Sequence, residues 1–243
     1  MCRVPLDDTD VSRVLVVTAH PDDVDFGAAG TVARWTDAGL AVTYCICTDG
    51  QAGGFDPDVP REHIPEIRRA EQRAAAAEVG VDDVRFLGYE DGELEPSRAL
   101  VRDLVRLIRQ VRPERLLTHS PERWWDRLPA SHPDHMAAGE AAVRALYPFA
   151  RNPFAFPELL EHEGLEDWVV QELWLIGAPG PNHWVDVTDT FQRKVRGILR
   201  HESQTPDRAR FEPMVREWLT GNAERGGLPQ GRLAEAFRVH ATA

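Results

Sequence analysis

The chain is predicted to form an α/β, Rossmann-like three-layer sandwich: a mostly parallel sheet, helices on both faces, and irregular C-terminal additions. Three observations carry this. Short apolar runs rich in β-branched residues alternate with helical stretches up to Tyr147. The strand-like runs are apolar throughout rather than at every second residue, as strands covered on both faces must be. Clusters of His, Asp and Gly follow these runs, where ligands gather in parallel sheets, beyond the carboxyl ends of the strands.

Residues 13–19 form the first such run, RVLVVTA, and residues 26–38 read as a helix closed by Gly39. A second strand over 41–47 leads to TDGQAGG. Residues 64–79 read as a helix whose core side is mostly alanine, and 84–87 as a short strand. The clearest amphipathic helix spans 97–111. Leu100, Leu104, Leu107, Ile108 and Val111 form one stripe, opposed by Arg102, Asp103, Arg106 and Arg109; Pro96 precedes the helix and Pro113 lies just past it. A strand over 115–118 ends in THS, and a helix entered by Ser131 covers 133–147. After Tyr147 the stretch YPFARNPFAFPELL reads as an irregular lid, with Phe154 and Phe156 packing it. Residues 173–176 and 184–187 read as a hairpin around GAPGPN, and 191–201 and 212–219 as helices. The expectation is one domain over 1–243, with 147–243 as its C-terminal part. Repeats and low-complexity tracts are absent from the sequence.

Composition narrows the function classes. With 42% hydrophobic residues, 243 positions can build a full core. A formal charge of −12 argues against a nucleic-acid partner, which wants a basic face. No apolar run approaches the roughly 20 residues that span a bilayer, and MCRVPLDDTD lacks the apolar core of an export signal, so the cytoplasm is expected. Cys45 and Cys47, two apart on one strand face, read with Cys2 as small buried hydrophobes. No surface stripe identifies an oligomeric partner.

The chemistry concentrates in TAHPDDVDFG, residues 18–27, and ASHPDHMAAGE, residues 130–140. Asp22, Asp23 and Asp25 crowd three negative charges into four residues, a repulsion that a divalent cation and the following helix N-terminus would offset. His132 and His135 lie three apart at a helix start and face roughly the same side. Two imidazoles and one carboxylate make a catalytic zinc set with a position left for water. One of Asp22 and Asp23 suffices as ligand; the other is then free to take a proton from water. Singly, each cluster also reads as a helix cap. Together, on the expected active edge, they point to metal.

TAHPDD with a downstream HPDH resembles the signature pair of the PIG-L (LmbE-like) N-acetylglucosaminyl deacetylases. TDGQAGG, Arg68 and Glu71 of the RxxE helix, Thr118 to Ser120, and VDVTDTFQRKVRGILRHESQ extend the likeness over most of the chain. The resemblance implies a zinc-dependent hydrolase removing an acetyl group from an N-acetylglucosamine-type substrate, an acetylated amino sugar or glycoconjugate. It implies His20, Asp23 and His135 as ligands of one Zn2+ per chain, or of another divalent metal such as Fe2+. It implies Asp22 as general base, His132 as oxyanion stabiliser or acid with Asp134 orienting it, and Arg68 as a substrate contact. Two positions depart from the pattern: Val24 stands where the family has glutamate after HPDD, so that a supporting hydrogen bond is either missing or supplied by Asp25, and Gln51 stands where TxGExG has glutamate, which removes a charge near the pocket. An amidase of thiol-conjugate or other amino-sugar amides, or a non-catalytic sugar-binding protein on the same scaffold, are the alternatives. In PERWWDRLPAS, Trp124 and Trp125 offer faces for a sugar, and Arg123 and Arg127 offer charge for an acidic group. His183 and Asn182, just before a strand, are expected at the pocket. His63, His119, His162, His201 and His240 have no partner that the sequence identifies.

Overall fold

The computed structural model describes residues 5–54 and 56–243; Cys2 lies outside them. Among the described residues a seven-stranded sheet runs in the order β3-β2-β1-β4-β5-β7-β6. Its strands are β1 (Arg13–Thr18), β2 (Ala41–Thr48), β3 (Asp83–Tyr89), β4 (Arg115–His119), β5 (Glu172–Ile176), β6 (His183–Asp186) and β7 (Ala234–Ala241). The pairs from β3 to β5 are parallel, and β7 runs antiparallel to both of its neighbours. The helices are α1 (Asp23–Asp37), α2 (Ile64–Glu78), α3 (Arg98–Val111), α4 (Pro133–Arg144), α5 (Pro157–Glu161), α6 (Phe191–Ile198) and α7 (Arg208–Arg225).

The unbroken apolar runs have a simple cause. Along β1, Leu15 and Val17 enter a core under α3 and α4, while Val14 and Val16 enter a second core with α1. Successive side chains point to opposite faces, and both faces are covered. Cys45 and Cys47 share the first core as free, buried thiols. Strand order changes direction between β1 and β4, so the loops leaving these two strands diverge and open a crevice.

α3 begins at Ser97, whose hydroxyl accepts the Leu100 N–H at 3.2 Å, and its apolar stripe is buried. Arg109 departs from its expected place on the polar face. It is buried and donates to the carbonyls of Phe149, Ala150, Asn152 and Ala155, pinning the segment after α4. That segment, Ala145–Ala150, leaves the α-helical path at Tyr147, three residues after α4 ends. Phe156 packs in the core as expected, whereas Phe154 is exposed. On α2 the core side is not only alanine: Arg68 and Gln72 are buried as well.

The expected hairpin between residues 173–176 and 184–187 does not form. β7, missed in the sequence, lies between β5 and β6. Asn182 of the GAPGPN segment explains the outcome: its amide donates to Val239 O and its carbonyl accepts the Val239 N–H, so the turn binds β7 rather than closing on β5. α7 begins before residue 212, and Pro213 stands inside it.

Candidate metal centre and active site

The chain turns sharply where β1 ends. The His20 N–H donates to Asp23 Oδ2 at 2.7 Å, and Asp22 takes a left-handed conformation with φ 101° before α1 starts. A non-glycine residue there costs about 1–3 kcal/mol and needs neighbours to hold it. α2 supplies them. Gln72 Oε1 accepts the Asp22 N–H at 2.8 Å, and the Arg68 guanidinium donates to Pro21 O and to Asp22 Oδ2 at 3.1 Å. Arg68 also donates to Gly50 O at 3.0 Å. A Cβ at Gly50 or Gly53 would stand 2.2 or 2.6 Å from the guanidinium, so the glycines of TDGQAGG are the space in which Arg68 lies.

Across the crevice, β4 ends in His119 and α4 starts at Pro133. His119 Nε2 lies 3.0 Å from Asp23 Oδ2, His135 Nε2 lies 2.9 Å from Asp23 Oδ1, and the two imidazoles stack at 4.0 Å. His20 Nε2 faces Asp134 Oδ2 at 3.2 Å and Asp91 Oδ1 at 3.0 Å, and its Nδ1 is 3.4 Å from Asp23. One ligand atom each from His20, His132 and His135 fall within 4.8 Å of one another, and so do those of Asp23, His119 and His135. The Asp134 carboxylate therefore turns to His20 and to the Gly92 N–H, and Asp134 reaches His132 through its own N–H, donated to His132 Nδ1 at 3.2 Å. That bond leaves the His132 proton on Nε2.

The local field favours a cation. Burial opposes charge on His20, but Asp23, with hydrogen bonds to Asp134 and Asp91, raises its pKa to about 12. Burial likewise opposes charge on Asp23, and His135, His119 and His20 hold its carboxyl well below the ordinary range. Burial pushes His119 down to about 4, so it is a neutral donor to Asp23 at pH 7. Imidazoles and carboxylates in this number fit a divalent ion. Burial raises the Asp22 carboxyl to about 6, against the pull of Arg68.

Behind the cluster lies a fully buried bridge. His201 Nε2 and Gln72 Nε2 both meet Asp25 Oδ2 at 2.9 Å, and Gln72 passes the connection on to Asp22. Val24 sits fully buried in the apolar core, and Asp25 is the carboxylate that meets His201 and Gln72.

The structure thus brings together His20, Asp22, Asp23, His132, Asp134, His135 and Arg68, the last behind Asp22. It does not bring His183, which stands on the outer strand β6 with its ring against Trp174 and near Arg115 and Glu172. Trp124 lines a cavity of about 720 Å³ that opens beside Asp23, His119 and His135, while Trp125 is 76% exposed. Sequence reasoning missed Asp91 and left His119 and His201 without partners. Asp91 follows β3 on the active edge, which is the signal that could have found it. No helix among the described residues is long and apolar enough to cross a membrane.

Residues 15–146 match the GlcNAc-PI de-N-acetylase (PIG-L) family. The chain is 34% identical over 233 residues to the diacetylchitobiose deacetylase of Thermococcus kodakarensis, covering 94% of this chain and 83% of that relative. It is 34% identical over 198 residues to a probable N-acetyl-alpha-D-glucosaminyl L-malate deacetylase 2 of Bacillus cereus, covering 79% and 84% of the two chains. Among solved structures, the inhibitor-bound N,N'-diacetylchitobiose deacetylase of Pyrococcus horikoshii superposes with a TM-score of 0.87 at 31% identity, over 96% of this chain and 85% of that one.

Proposed function

The chain belongs to the PIG-L family of GlcNAc-PI de-N-acetylases, and from that premise we propose that it is a zinc-dependent hydrolase. It removes the acetyl group from an N-acetylglucosamine-type substrate by hydrolysing the amide C–N bond. The observation that carries this reading is the convergence of His20, Asp23 and His135 at the β1/β4 crevice, with Asp22 and His132 beside them. Relatives that act on diacetylchitobiose, or named for N-acetylglucosaminyl malate, support the substrate class. Free thiols at Cys45 and Cys47 accord with a cytoplasmic setting.

His20, Asp23 and His135 would hold the ion. When bound, it supplies Lewis acidity toward the amide carbonyl and a water of lowered pKa. Asp23 is oriented for the task, because Oδ2 accepts from the His20 N–H and from His119, leaving Oδ1 toward His135. Asp22, with a carboxyl raised by burial to about 6, is ionised at neutral pH yet basic enough to take a proton from the attacking water. Burial lowers the His132 pKa, and its Nδ1 already accepts the Asp134 N–H. His132 acts as a neutral imidazole whose Nε2–H donates to the developing oxyanion. With His132 neutral, the proton that Asp22 has taken is the one delivered to the departing nitrogen. Arg68 holds Asp22 in place and limits its basicity. Trp124 gives an aromatic wall against which a sugar ring can stack.

The test is amine release from N-acetylglucosamine and diacetylchitobiose by protein of known metal content, with and without a chelator. Release that stops on chelation and returns with zinc is the expected result. Absence of release by fully loaded protein on every acetylated amino sugar offered would overturn the reading.

A further inference from the structure

The cavity beside the metal cluster extends well past an acetamido group. Its 720 Å³ fall in the range that encloses a ligand larger than one sugar ring. The far wall is built by Arg127 and Trp124 from the turn before α4, and by Trp218, Asn222 and Arg225 from α7. Resting on the deacetylase reading above, we propose that this wall binds an anionic group on the part of the substrate remote from the acetamide, and that Arg127 and Arg225 set this specificity.

The charges argue for it. The chain has 40 acidic against 28 basic residues, and many of its arginines are paired. Among the described residues, neither Arg127 nor Arg225 forms an ion pair with a carboxylate. The Arg127 guanidinium stands 4.7 Å from the Trp218 ring and 5.9 Å from that of Trp124. Arg127 is exposed as a residue, but its guanidinium sits partly buried against these rings, which with the charge of Arg225 disfavours its charged form. Two like charges thus line one cavity. Arg225 is held by a 2.6 Å bond to Asn222 Oδ1, so its direction is set before any ligand arrives. Asp126 is the one carboxylate on this side of the cavity; it is exposed and pairs with neither arginine. Arg123, by contrast, lies over the exposed Trp125 and is not part of the wall. Guanidinium pairs with aromatic neighbours suit a carboxylate or a phosphodiester, each able to take two parallel N–H bonds.

Binding separates this inference from the catalytic one. Calorimetry on metal-free and zinc-loaded protein would compare three amines: glucosaminyl malate, a glucosaminyl phosphodiester of glycerol, and neutral chitobiose. At low salt at least one anionic ligand should bind about tenfold more tightly than chitobiose, and the advantage should shrink as salt rises. The better of the two names the anion. In R127Q/R225Q the advantage should fall to about threefold or less, with R127Q and R225Q each losing part of it. Both arginines are exposed, and unfolding curves of each variant would verify the fold. In turnover of the acetylated forms, the preference should lie in KM rather than kcat. Equal affinity for charged and neutral ligands, or an advantage that survives in the double variant, would overturn the inference. Cleavage of none of the three amides, with anion-selective binding intact, would instead overturn the deacetylase reading alone.

Discussion

Asp22 and Asp23 are adjacent, yet the backbone sends them to different tasks. The left-handed turn at Asp22 points its carboxylate to Arg68, while Asp23, at the first position of α1, faces three imidazoles. Asp22→Asn should therefore keep the metal and lower kcat by about 10²–10⁴-fold, the usual size of a general-base effect. His20→Ala should lose the metal as well. Elemental analysis beside turnover separates the two, and a fully active Asp22→Asn would refute the assignment of the base. At this scale the sequence was most legible where residues of one motif serve one site. HPDD and HPDH could be read because their spacing is local. Asp91 and His119 could not, because their partners stand 71 and 96 positions away, and only the strand order brings them near. Arg68 was legible as a site residue but not in its direction: the glycines that surround it had to be placed first.

At the level of elements, one close contact fixes the site to the sheet and a second joins strands at its other end. Gly139 of α4 lies so close to β4 that a Cβ there would stand 2.3 Å from the His119 carbonyl oxygen. Gly139→Ala must push α4 off β4 and move His132 and His135 relative to His119. The expected cost is about 1–3 kcal/mol of stability, by thermal unfolding, with weakened metal affinity. At the opposite edge, Glu114 accepts the N–H groups of Ser12 and Arg13 at 3.1 and 2.7 Å and the Arg13 guanidinium at 2.6 Å. Burial opposes the charge, but these bonds hold the Glu114 carboxyl below the usual glutamate range. A lowered folded-state pKa contributes stability above the unfolded value of about 4.3 and loses it as pH falls through the folded one. Glu114→Gln should thus cost about 1–3 kcal/mol at pH 7, and the gap from wild type should close below about pH 4 in denaturant titrations. Helix α3 was legible from its stripe and flanking prolines alone. β6 was read as a strand but given the wrong partner, and β7 was not read, because GAPGPN is a good turn sequence, and which strand it serves depends on Asn182 finding Val239.

For the whole molecule, we propose that residues before and after 147 fold as one unit. The support is a buried junction. Lys194 of α6 donates to Asp25 O, Phe26 O and Glu235 Oε1 at 2.8, 2.6 and 2.7 Å, and Glu235 of β7 accepts the N–H groups of Gly30 and Thr31. Both side chains are essentially without solvent contact. Lys194→Met would strand the Glu235 charge and cost about 3–5 kcal/mol, while Lys194→Met with Glu235→Leu should recover much of that loss. Chemical denaturation followed by tryptophan fluorescence and by circular dichroism would give coincident transitions for one unit; separate transitions would refute it. The layered class was readable because alternation of strand and helix is a property of sequence order. The junction was not, since a lone lysine and a glutamate 41 positions apart carry no periodic mark.

The placement of β7 also bears on how the protein is made. During synthesis β5 and β6 leave the ribosome before the segment that must lie between them. Until residues 234–241 emerge, the outer edge of β5 is an open row of amides and carbonyls, and β6 has nothing to dock on. Completion of the sheet is therefore a late event, and a nascent chain stalled before residue 234 presents a sticky border to its neighbours.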